Sequence, residues 1–411
     1  PTPNGFVKMG DLQDGDTIFG SDGNECRVVK AWDVLYDRKC YEITFSDGDT
    51  VVADENHNWF TQSSVERRRK VNNSGSVKTT KEILDTLYVK GNVENLKPNH
   101  RIPIEFENVE IDTQVELPIS PYYLGYWLGD GGSWGSNIAI GQEDKDASSS
   151  ALLQSLNIDT SNATLSECSD GHYNMNFKSN ADGNKLTTLL KSNNLHRNKH
   201  IPYEYIVSSR DNKLELLRGL MDSDGSIAGN NYDGKWRSAC FYNTNKTLID
   251  DFYSLVCSLG WKATVKKNTN SVGYNKDNPT AEIYRVVFRP DVNPFKIKRK
   301  ADKFEVKPAI YNHAKFRYIK KIREVDSRPV RCITVDSPDN LFLCNRSFTL
   351  TSNTTIVTIF ALWTALFKKD QNIFVLANKE DTAKMILSRI RMAYEQMDNW
   401  IKSPIKEFTK T

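Results

Sequence analysis

Short runs in which hydrophobic and polar residues alternate dominate roughly the first 112 residues of the chain. This two-residue period predicts β-strands, because successive side chains of a strand point to opposite faces of a sheet. Asp-Gly pairs separate the runs and favour the tight turns of antiparallel hairpins. The same alternation returns at residues 316–351, so β structure is predicted at both ends of a long intervening segment. The alternating runs are 17–19, 26–29, 40–45 and 330–335, and the Asp-Gly pairs stand at 14–15, 22–23 and 47–48.

Helical periodicity sets the residues between these two stretches apart. Hydrophobic residues recur three and four positions apart in several segments, which predicts helices, and a β-rich segment follows them. The helical and β-rich patterns over residues 120–312 therefore predict an α+β domain inserted into a β unit. The predicted helices are 122–129, 213–221 and 246–259, and the β-rich segment is 281–288.

The last part of the chain, after residue 353, changes pattern again. An apolar helix is predicted at 354–367, a strand at 372–377 and an amphipathic helix at 380–401. This order of elements is typical of the middle of an α/β domain.

Composition bounds the possible functions. A chain of 411 residues exceeds one core of ordinary size, so two to three domains are expected. The longest strongly apolar run, 356–367, is shorter than the roughly 20 residues that a membrane span needs, so we expect no membrane partner and a cytoplasmic location. The seven cysteines contain no C-x-x-C pair and indicate neither a disulfide framework nor a zinc site. Because the net charge is only +3, any DNA-binding surface must be local.

A duplicated motif is the strongest internal signal. Residues 123–131 and 217–225 each end an apolar segment with Asp-Gly, and each carries small residues four positions apart. Small residues at that spacing let two helix backbones touch, which would bring Asp130 and Asp224 together. Two adjacent carboxylates repel unless a cation neutralises them, so we expect Mg²⁺ there and hydrolysis of a phosphodiester as the chemistry. The small residues are Gly125, Gly129, Gly219 and Ser223.

Three other interpretations of this motif have less support in the sequence. Residues 222–225 resemble the start of a calcium-binding loop, but the later Gly and the terminal Glu of such a loop are absent. Residues 129–132 could form a phosphate-binding loop, but no strand–GxGxxG–helix context surrounds them. A single Asp-Gly could simply end a helix, which two matching copies disfavour.

The two motifs resemble those of LAGLIDADG homing endonucleases, in the single-chain form with two pseudo-symmetric αββαββα halves. The resemblance implies that Asp130 and Asp224 are metal-binding catalytic acids, and that a monomer cuts double-stranded DNA with Mg²⁺. Residues 198–202 resemble the Lys-x-Ile-Pro element of the family, which implies that Lys199 supplies a basic group to the cleavage site. Its counterpart is expected within 295–300, with Lys298 as the candidate. The basic residues Lys298, Arg299 and Lys300 are expected to contact the DNA backbone.

An endonuclease inserted in an interrupted β domain is the arrangement of large inteins, and the flanking residues resemble intein motifs. Residues 2–16 resemble the T-x-x-G…L-x-x-G-D stretch that follows the first intein residue. Residues 54–61 resemble the T-x-x-H element with Asp54 in place of Thr, which implies that His57 polarises the upstream scissile amide. We expect the upstream Cys or Ser nucleophile to precede Pro1, so that residues 1–411 alone break the downstream junction but do not ligate.

The downstream flank resembles the closing segment of an intein. Residues 330–343 resemble the strand pair before the junction, with Cys332 where Asp is frequent, and 347–353 end on Asn353. The Asn353 side-chain amide can attack its own carbonyl, which breaks the chain after Asn353. The resemblance implies that Thr354 is the downstream nucleophile, and Ser352 occupies the place of the usual penultimate His.

Residues 354–411 resemble the large terminase subunit of tailed phages just after its nucleotide-binding loop. The resemblance implies a host that uses ATP and Mg²⁺ only after splicing, an infected bacterial cell as the location, and the intein-free terminase gene as the DNA target. Thr354 would then become a Mg²⁺ ligand once an upstream Gly-Lys is joined to it.

The sequence therefore predicts a multidomain chain: an all-β Hint horseshoe interrupted by an α+β LAGLIDADG endonuclease and followed by an α/β P-loop ATPase fragment. The alternatives are a freestanding LAGLIDADG endonuclease or DNA-binding protein, and a terminase ATPase fragment with a degenerate, inactive insertion. The predicted domains are 1–115 and 313–353 for the Hint domain, 116–312 for the endonuclease and 354–411 for the host fragment.

Overall fold

The fold is described from a computed structural model of the chain. Little of the predicted host fragment falls within the described residues, although 362–367 are helical there. Asn353, Thr354 and the predicted strand 372–377 lie outside them. None of the helices in the described part combines the length and the apolar character that a bilayer crossing requires. The described residues are 1–68, 75–89, 96–104, 106–111, 116–156, 161, 163–178, 184–228, 238–268, 282–306, 315–352, 362–368 and scattered positions between 387 and 402.

The described elements agree with the main periodicities of the sequence. The three helices predicted in the middle of the chain correspond to α3, α7 and α8 below. The α-helices are α1 (Ser64–Arg68), α2 (Thr80–Asp85), α3 (Pro121–Asp130), α4 (Lys145–Ser155), α5 (Lys185–Ser192), α6 (Tyr203–Ile206), α7 (Arg210–Ser223), α8 (Lys246–Ser258) and α9 (Lys298–Ala301). The strands are β1 (Thr17–Phe19), β2 (Glu25–Ala31), β3 (Cys40–Phe45), β4 (Thr50–Asp54), β5 (Asn58–Thr61), β6 (Ser76–Thr79), β7 (Arg101–Pro103), β8 (Ile138–Ile140), β9 (Ala163–Glu167), β10 (Tyr173–Phe177), β11 (Gly225–Ala228), β12 (Ser238–Asn243), β13 (Ala263–Asn268), β14 (Ile283–Phe288), β15 (Phe316–Val325), β16 (Ile333–Val335), β17 (Leu341–Cys344) and β18 (Thr349–Ser352).

Three sheets join the two ends of the chain. Their strand orders are β1-β2-β16, β4-β3-β15-β7 and β17-β18-β5-β6. In each sheet an N-terminal strand pairs antiparallel with a strand from beyond residue 315, as in the β15–β3 ladder that places Val325 opposite Cys40. A buried ion pair reinforces this closure, because Arg317 Nε on β15 lies 2.7 Å from Asp47 Oδ2 in the turn after β3. The two distant β stretches therefore form one structural unit.

The inserted segment has its own sheets, ordered β8-β10-β9 and β11-β12-β14-β13. Its second half runs α7-β11-β12-α8-β13-β14-α9, which is the predicted αββαββα order. The first half departs from this order, because among its described residues only an isolated bridge between Gly131 and Ile138 stands where a first strand was expected. The intervening sequence explains the difference, since Gly-Gly-Ser-Trp-Gly-Ser-Asn favours turns over a paired strand.

One large hydrophobic core runs through both parts of the molecule. Residues 106–111 lead from the β unit into the insertion and are held against the insertion's helices. Val109 N donates to Ser258 O at 2.8 Å, and Ile111 N donates to Val207 O at 3.0 Å. The buried Lys213 of α7 donates a hydrogen bond to the same segment, from its Nζ to Asn108 Oδ1 at 2.9 Å. These contacts hold the insertion against the β unit.

Candidate active site

Helices α3 and α7 meet with their backbones in direct contact. A Cβ added at Gly125 would lie 2.1 Å from Leu216 O, and one added at Gly219 would lie 2.2 Å from Tyr122 O. Those distances are far below ordinary van der Waals contact, so both positions require the absence of a side chain. The spacing of small residues in the sequence thus correctly predicted how these two helices pack.

The contact places the two acidic residues near one another. Asp130 is the last residue of α3, and Asp224 directly follows α7 as its C-cap. Burial and, after it, the negative charge of Asp224 raise the pKa of Asp130, while Lys300 and Lys199 oppose the shift, and the net result is a pKa of about 7. Burial likewise raises the pKa of Asp224. Each carboxylate therefore resists ionisation in the absence of a compensating cation.

The two carboxylates differ in their hydrogen-bond partners. Asn243 Nδ2 donates to Asp224 Oδ2 at 3.1 Å. Within the described residues, no donor forms a hydrogen bond with the half-buried Asp130 carboxylate. A half-buried acid without a donor, beside a second acid, fits a hard divalent cation, since Mg²⁺ and related ions take oxygen ligands.

A lysine amine lies against each Asp-Gly turn. Lys199 Nζ donates to main-chain oxygens on both sides of Asp130, and Lys300 Nζ does the same around Asp224. Burial lowers the pKa of Lys199 to about 8, against the raising effect of Asp224 and Asp130. Burial also lowers the pKa of Lys300. The acceptors are Gly129 O (3.1 Å) and Gly131 O (2.7 Å) for Lys199, and Met221 O (3.0 Å), Asp222 O (2.8 Å), Ser223 O (3.2 Å) and Gly225 O (2.9 Å) for Lys300.

This arrangement corrects the prediction for the second basic residue. The expected counterpart of Lys199, Lys298, is exposed and pairs with Asp302 at 2.6 Å. Arg299 pairs with Asp144 at 2.5 Å, so it is not a free cation on the surface. Lys300 alone of the three reaches the end of α7, and its amine is committed there to carbonyl oxygens. The sequence showed a basic run but not which residue of α9 faces inward.

The segment that carries Lys199 is held by α8 of the insertion, and α8 is in turn bound by Arg346 of the β unit. Asn245 Nδ2 at the start of α8 donates to Lys199 O at 2.7 Å. Two residues later, Ile201 N donates to Asp251 Oδ2 at 3.2 Å, and Arg346 Nη1 from the β17–β18 turn donates to Asp251 Oδ1 at 3.2 Å. Asp251 and Arg346 were missed from the sequence, because only the fold brings residue 346 to this helix.

A second group of predicted residues lies in the β unit. His57 is half-buried, its Nε2 lies 2.6 Å from Thr351 Oγ1, and its ring meets Trp59 edge to face with 4.7 Å between the ring centroids. Burial lowers the pKa of His57 to about 4, so the imidazole is neutral at physiological pH. Ser352 is buried at the end of β18, where it pairs in register with Asn58. Asn353 and Thr354 follow directly but lie outside the described residues.

The comparisons with known proteins identify a family similarity in the inserted segment. The model of the LAGLIDADG-like domain matches residues 211–289, which begin in α7 and include Asp224. A replicative DNA helicase DnaB of Mycobacterium intracellulare is 30% identical over 370 residues, which cover 87% of this chain and 57% of the relative. DnaB of Mycobacterium leprae (strain TN) is 46% identical over 65 residues, or 16% of this chain and 11% of the relative. The chain thus spans little more than half the length of the longer match.

Similar solved structures are of two kinds. The MchDnaB-1 intein is 42% identical and covers 19% of this chain and 51% of its own, with a TM-score of 0.16. A structure of mesophilic variants of the homing endonuclease I-DmoI is 15% identical and covers 44% of this chain and 94% of its own, with a TM-score of 0.29.

These findings correct the predicted host. The curated relatives are replicative DNA helicases, and the comparisons give no support to a phage terminase. The terminase prediction relied on residues 354–411, most of which lie outside the described residues. The family model matches the inserted part: residues 211–289 are similar to the LAGLIDADG-like domain, the family that the duplicated Asp-Gly motif resembles.

Proposed function

We propose that this chain is an intein whose insertion, residues 116–312, is a homing endonuclease that cuts double-stranded DNA with a divalent metal ion. The observation that carries the proposal is the mirrored site, in which two half-buried carboxylates stand at the ends of two helices and a lysine amine lies against each turn. Asp130 and Asp224 would hold the ion, which supplies charge compensation and an activated water for phosphodiester hydrolysis.

The protein groups have separable roles in this proposal. The two amines fix the carbonyls around the acids and place positive charge near the phosphate, which stabilises charge that develops during the reaction. Because the pKa of Lys199 is lowered to about 8, its amine is mostly protonated at neutral pH and loses its charge in mildly alkaline solution. Because the pKa of Asp130 is raised to about 7, protons compete with the metal ion below that pH.

We expect the purified chain to cut a duplex that carries the uninterrupted host gene around the insertion point. Cleavage should require Mg²⁺ or Mn²⁺, stop with EDTA and return when the ion is restored. Raising the Mg²⁺ concentration should move the acid limb of the pH–rate profile to lower pH, because the ion competes with the Asp130 proton. Gel electrophoresis of the products measures this, and cleavage that persists in EDTA would exclude the proposed site.

We propose further that residues 1–115 and 313–353 are the Hint-type splicing domain, with Asn353 as the residue that cyclises and Thr354 as the downstream nucleophile. The supporting contact is local: Ser352, the residue before Asn353, ends the strand β18, in which Thr351 Oγ1 lies 2.6 Å from His57 Nε2. The neutral His57 can accept or share a proton there.

This second part is tested at the junction. We expect slow release of a fragment that starts at Thr354, and no release from Asn353→Ala. General-acid assistance is worth about 10²–10⁴-fold, so we expect Ser352→His to accelerate release. Mass spectrometry identifies the fragment and the succinimide. A freestanding endonuclease, the competing interpretation, predicts an intact chain in every variant.

The host is a separate proposal. The relatives favour a replicative helicase of the DnaB type in place of the terminase suggested by residues 354–411. Translating the coding DNA on both sides of the chain tests this host, since flanking sequence that does not match a DnaB helicase would contradict it.

A further inference from the structure

Three residues with metal-binding side chains alternate in the turn that joins β9 to β10. Cys168, Asp170 and His172 occupy this turn, and none has a role in the proposed DNA cleavage or splicing. The backbone folds tightly there: Cys168 N donates to His172 O at 2.8 Å, and Gly171 N donates to Cys168 O at 3.0 Å. Cys168 and His172 therefore face one another across the end of the hairpin, with Asp170 at its tip.

The three potential ligand atoms form a compact cluster. The Cys168 sulfur, a carboxylate oxygen of Asp170 and a ring nitrogen of His172 all lie within 4.8 Å of one another. Ligand atoms of a tetrahedral Zn²⁺ site are separated by about 3.5 Å, given metal–ligand bonds of about 2.0–2.3 Å. Side-chain rotations that shift the ligand atoms by about 1 Å would close that difference, and the three side chains are at least partly exposed.

The neighbouring groups suit a bound ion. Asn174 Nδ2 on β10 lies 3.1 Å from Cys168 Sγ and can donate to a thiolate, as groups around metal-bound sulfur do. The His172 Nδ1 atom lies 2.5 Å from Asp170 Oδ1, so the imidazole and the carboxylate already converge. Cys168 and His172 are half-buried and Asp170 is exposed, which leaves one side of the cluster open to water.

We propose that Cys168, Asp170 and His172 bind one thiophilic divalent ion of the Zn²⁺ class, with water as the fourth ligand. Thiolate and imidazole select such an ion over Mg²⁺, which takes oxygen ligands, so this site and the paired aspartates take different metals. The ion ties the β9–β10 turn together at the end of the sheet β8-β10-β9. Because metal bound only by the folded state stabilises it, the ion strengthens the first half of the insertion.

Cobalt provides the probe for the test. The full chain is freed of metal with a chelator and titrated with Co²⁺, whose bond to a thiolate gives a near-ultraviolet charge-transfer band. We expect saturation at one equivalent, displacement by Zn²⁺ and no displacement by excess Mg²⁺. Cys168→Ser should remove the band. His172→Ala should weaken binding by more than about tenfold, since even outer-shell changes cost about 10–100-fold.

A matched control is available in Cys332, the exposed cysteine of the β unit. Cys332→Ser should keep the band and its affinity. Zn²⁺ should raise the melting temperature of the wild type and of Cys332→Ser, but not of Cys168→Ser. The proposal is overturned if the wild type shows no saturable band, or if Cys168→Ser binds Co²⁺ as tightly as the wild type. Circular dichroism establishes that each variant is folded.

Discussion

Asp130→Asn and Asp224→Asn should each abolish DNA cleavage, with a rate loss on the order of 10⁴-fold, while DNA binding persists. Each change keeps the size of the side chain but removes a negative charge that the proposed metal site needs. Single-turnover cleavage of the uninterrupted host gene measures the rate, and gel-shift assays in Ca²⁺ measure binding. If either variant cuts at close to the wild-type rate, that carboxylate does not hold the catalytic ion.

Asp130→Asn should also make the folded protein more stable in alkaline solution. A variant that loses cleavage but gains stability has lost a catalytic group, not its fold. Folding raises the pKa of Asp130 from 3.8 to about 7. The ionised acid therefore penalises the folded state as pH rises above 3.8, and the penalty is complete above pH 7. Asp130→Asn should melt at a higher temperature than the wild type at pH 8, and the difference should vanish near pH 3.5.

A distant acid provides the control for this experiment. Asp85 is exposed at the end of α2 and pairs with Lys81 at 2.8 Å. Asp85→Asn should leave cleavage unchanged and alter stability little, because exposed ion pairs contribute about 0–1 kcal/mol. If the loss of any negative charge were enough to change cleavage or stability, Asp85→Asn and Asp130→Asn would have the same effect.

Adding a single methyl group at Gly125 or Gly219 should severely destabilise the insertion. In an ordinary helix, Gly→Ala stabilises the protein by about 1 kcal/mol. At these two positions we expect the opposite, a loss of stability. The reason is that the new Cβ at Gly125 would lie 2.1 Å from Leu216 O, and at Gly219 would lie 2.2 Å from Tyr122 O. Both obstacles are backbone atoms that cannot rotate away. We expect a loss above the roughly 1–3 kcal/mol typical of overpacked cores.

Thermal unfolding of the two variants tests this prediction against a matched glycine. A Cβ at Gly141, in the same inserted segment, meets nothing within 4 Å. Gly141→Ala should therefore melt close to the wild type, whereas Gly125→Ala and Gly219→Ala should melt far below it and lose cleavage. Wild-type stability in the last two variants would show that α3 and α7 do not touch as described.

Much of this architecture was accessible from the sequence, because the relevant signals are local. Alternating residues with Asp-Gly turns predicted strands such as Cys40–Phe45, and apolar periodicity predicted α3, α7 and α8. The small residues at positions 125 and 219 predicted the backbone contact between helices that places Asp130 and Asp224 together. The glycine-rich stretch after Asp130 was misjudged, since an isolated bridge replaces the first strand expected there.

The remaining features depend on which side of an element faces which neighbour. Consecutive helical residues point about 100° apart, so the basic run at α9 could not reveal that Lys300, and not Lys298, meets the end of α7. The C-x-D-x-H spacing became a cluster only when the β9–β10 turn brought Cys168 and His172 face to face. The sequence by itself determined the motifs and the order of elements, because those signals lie within a few consecutive residues. The tertiary structure alone decided which distant side chains share a site, as when Arg346 reaches Asp251, because such contacts depend on the packing of whole elements.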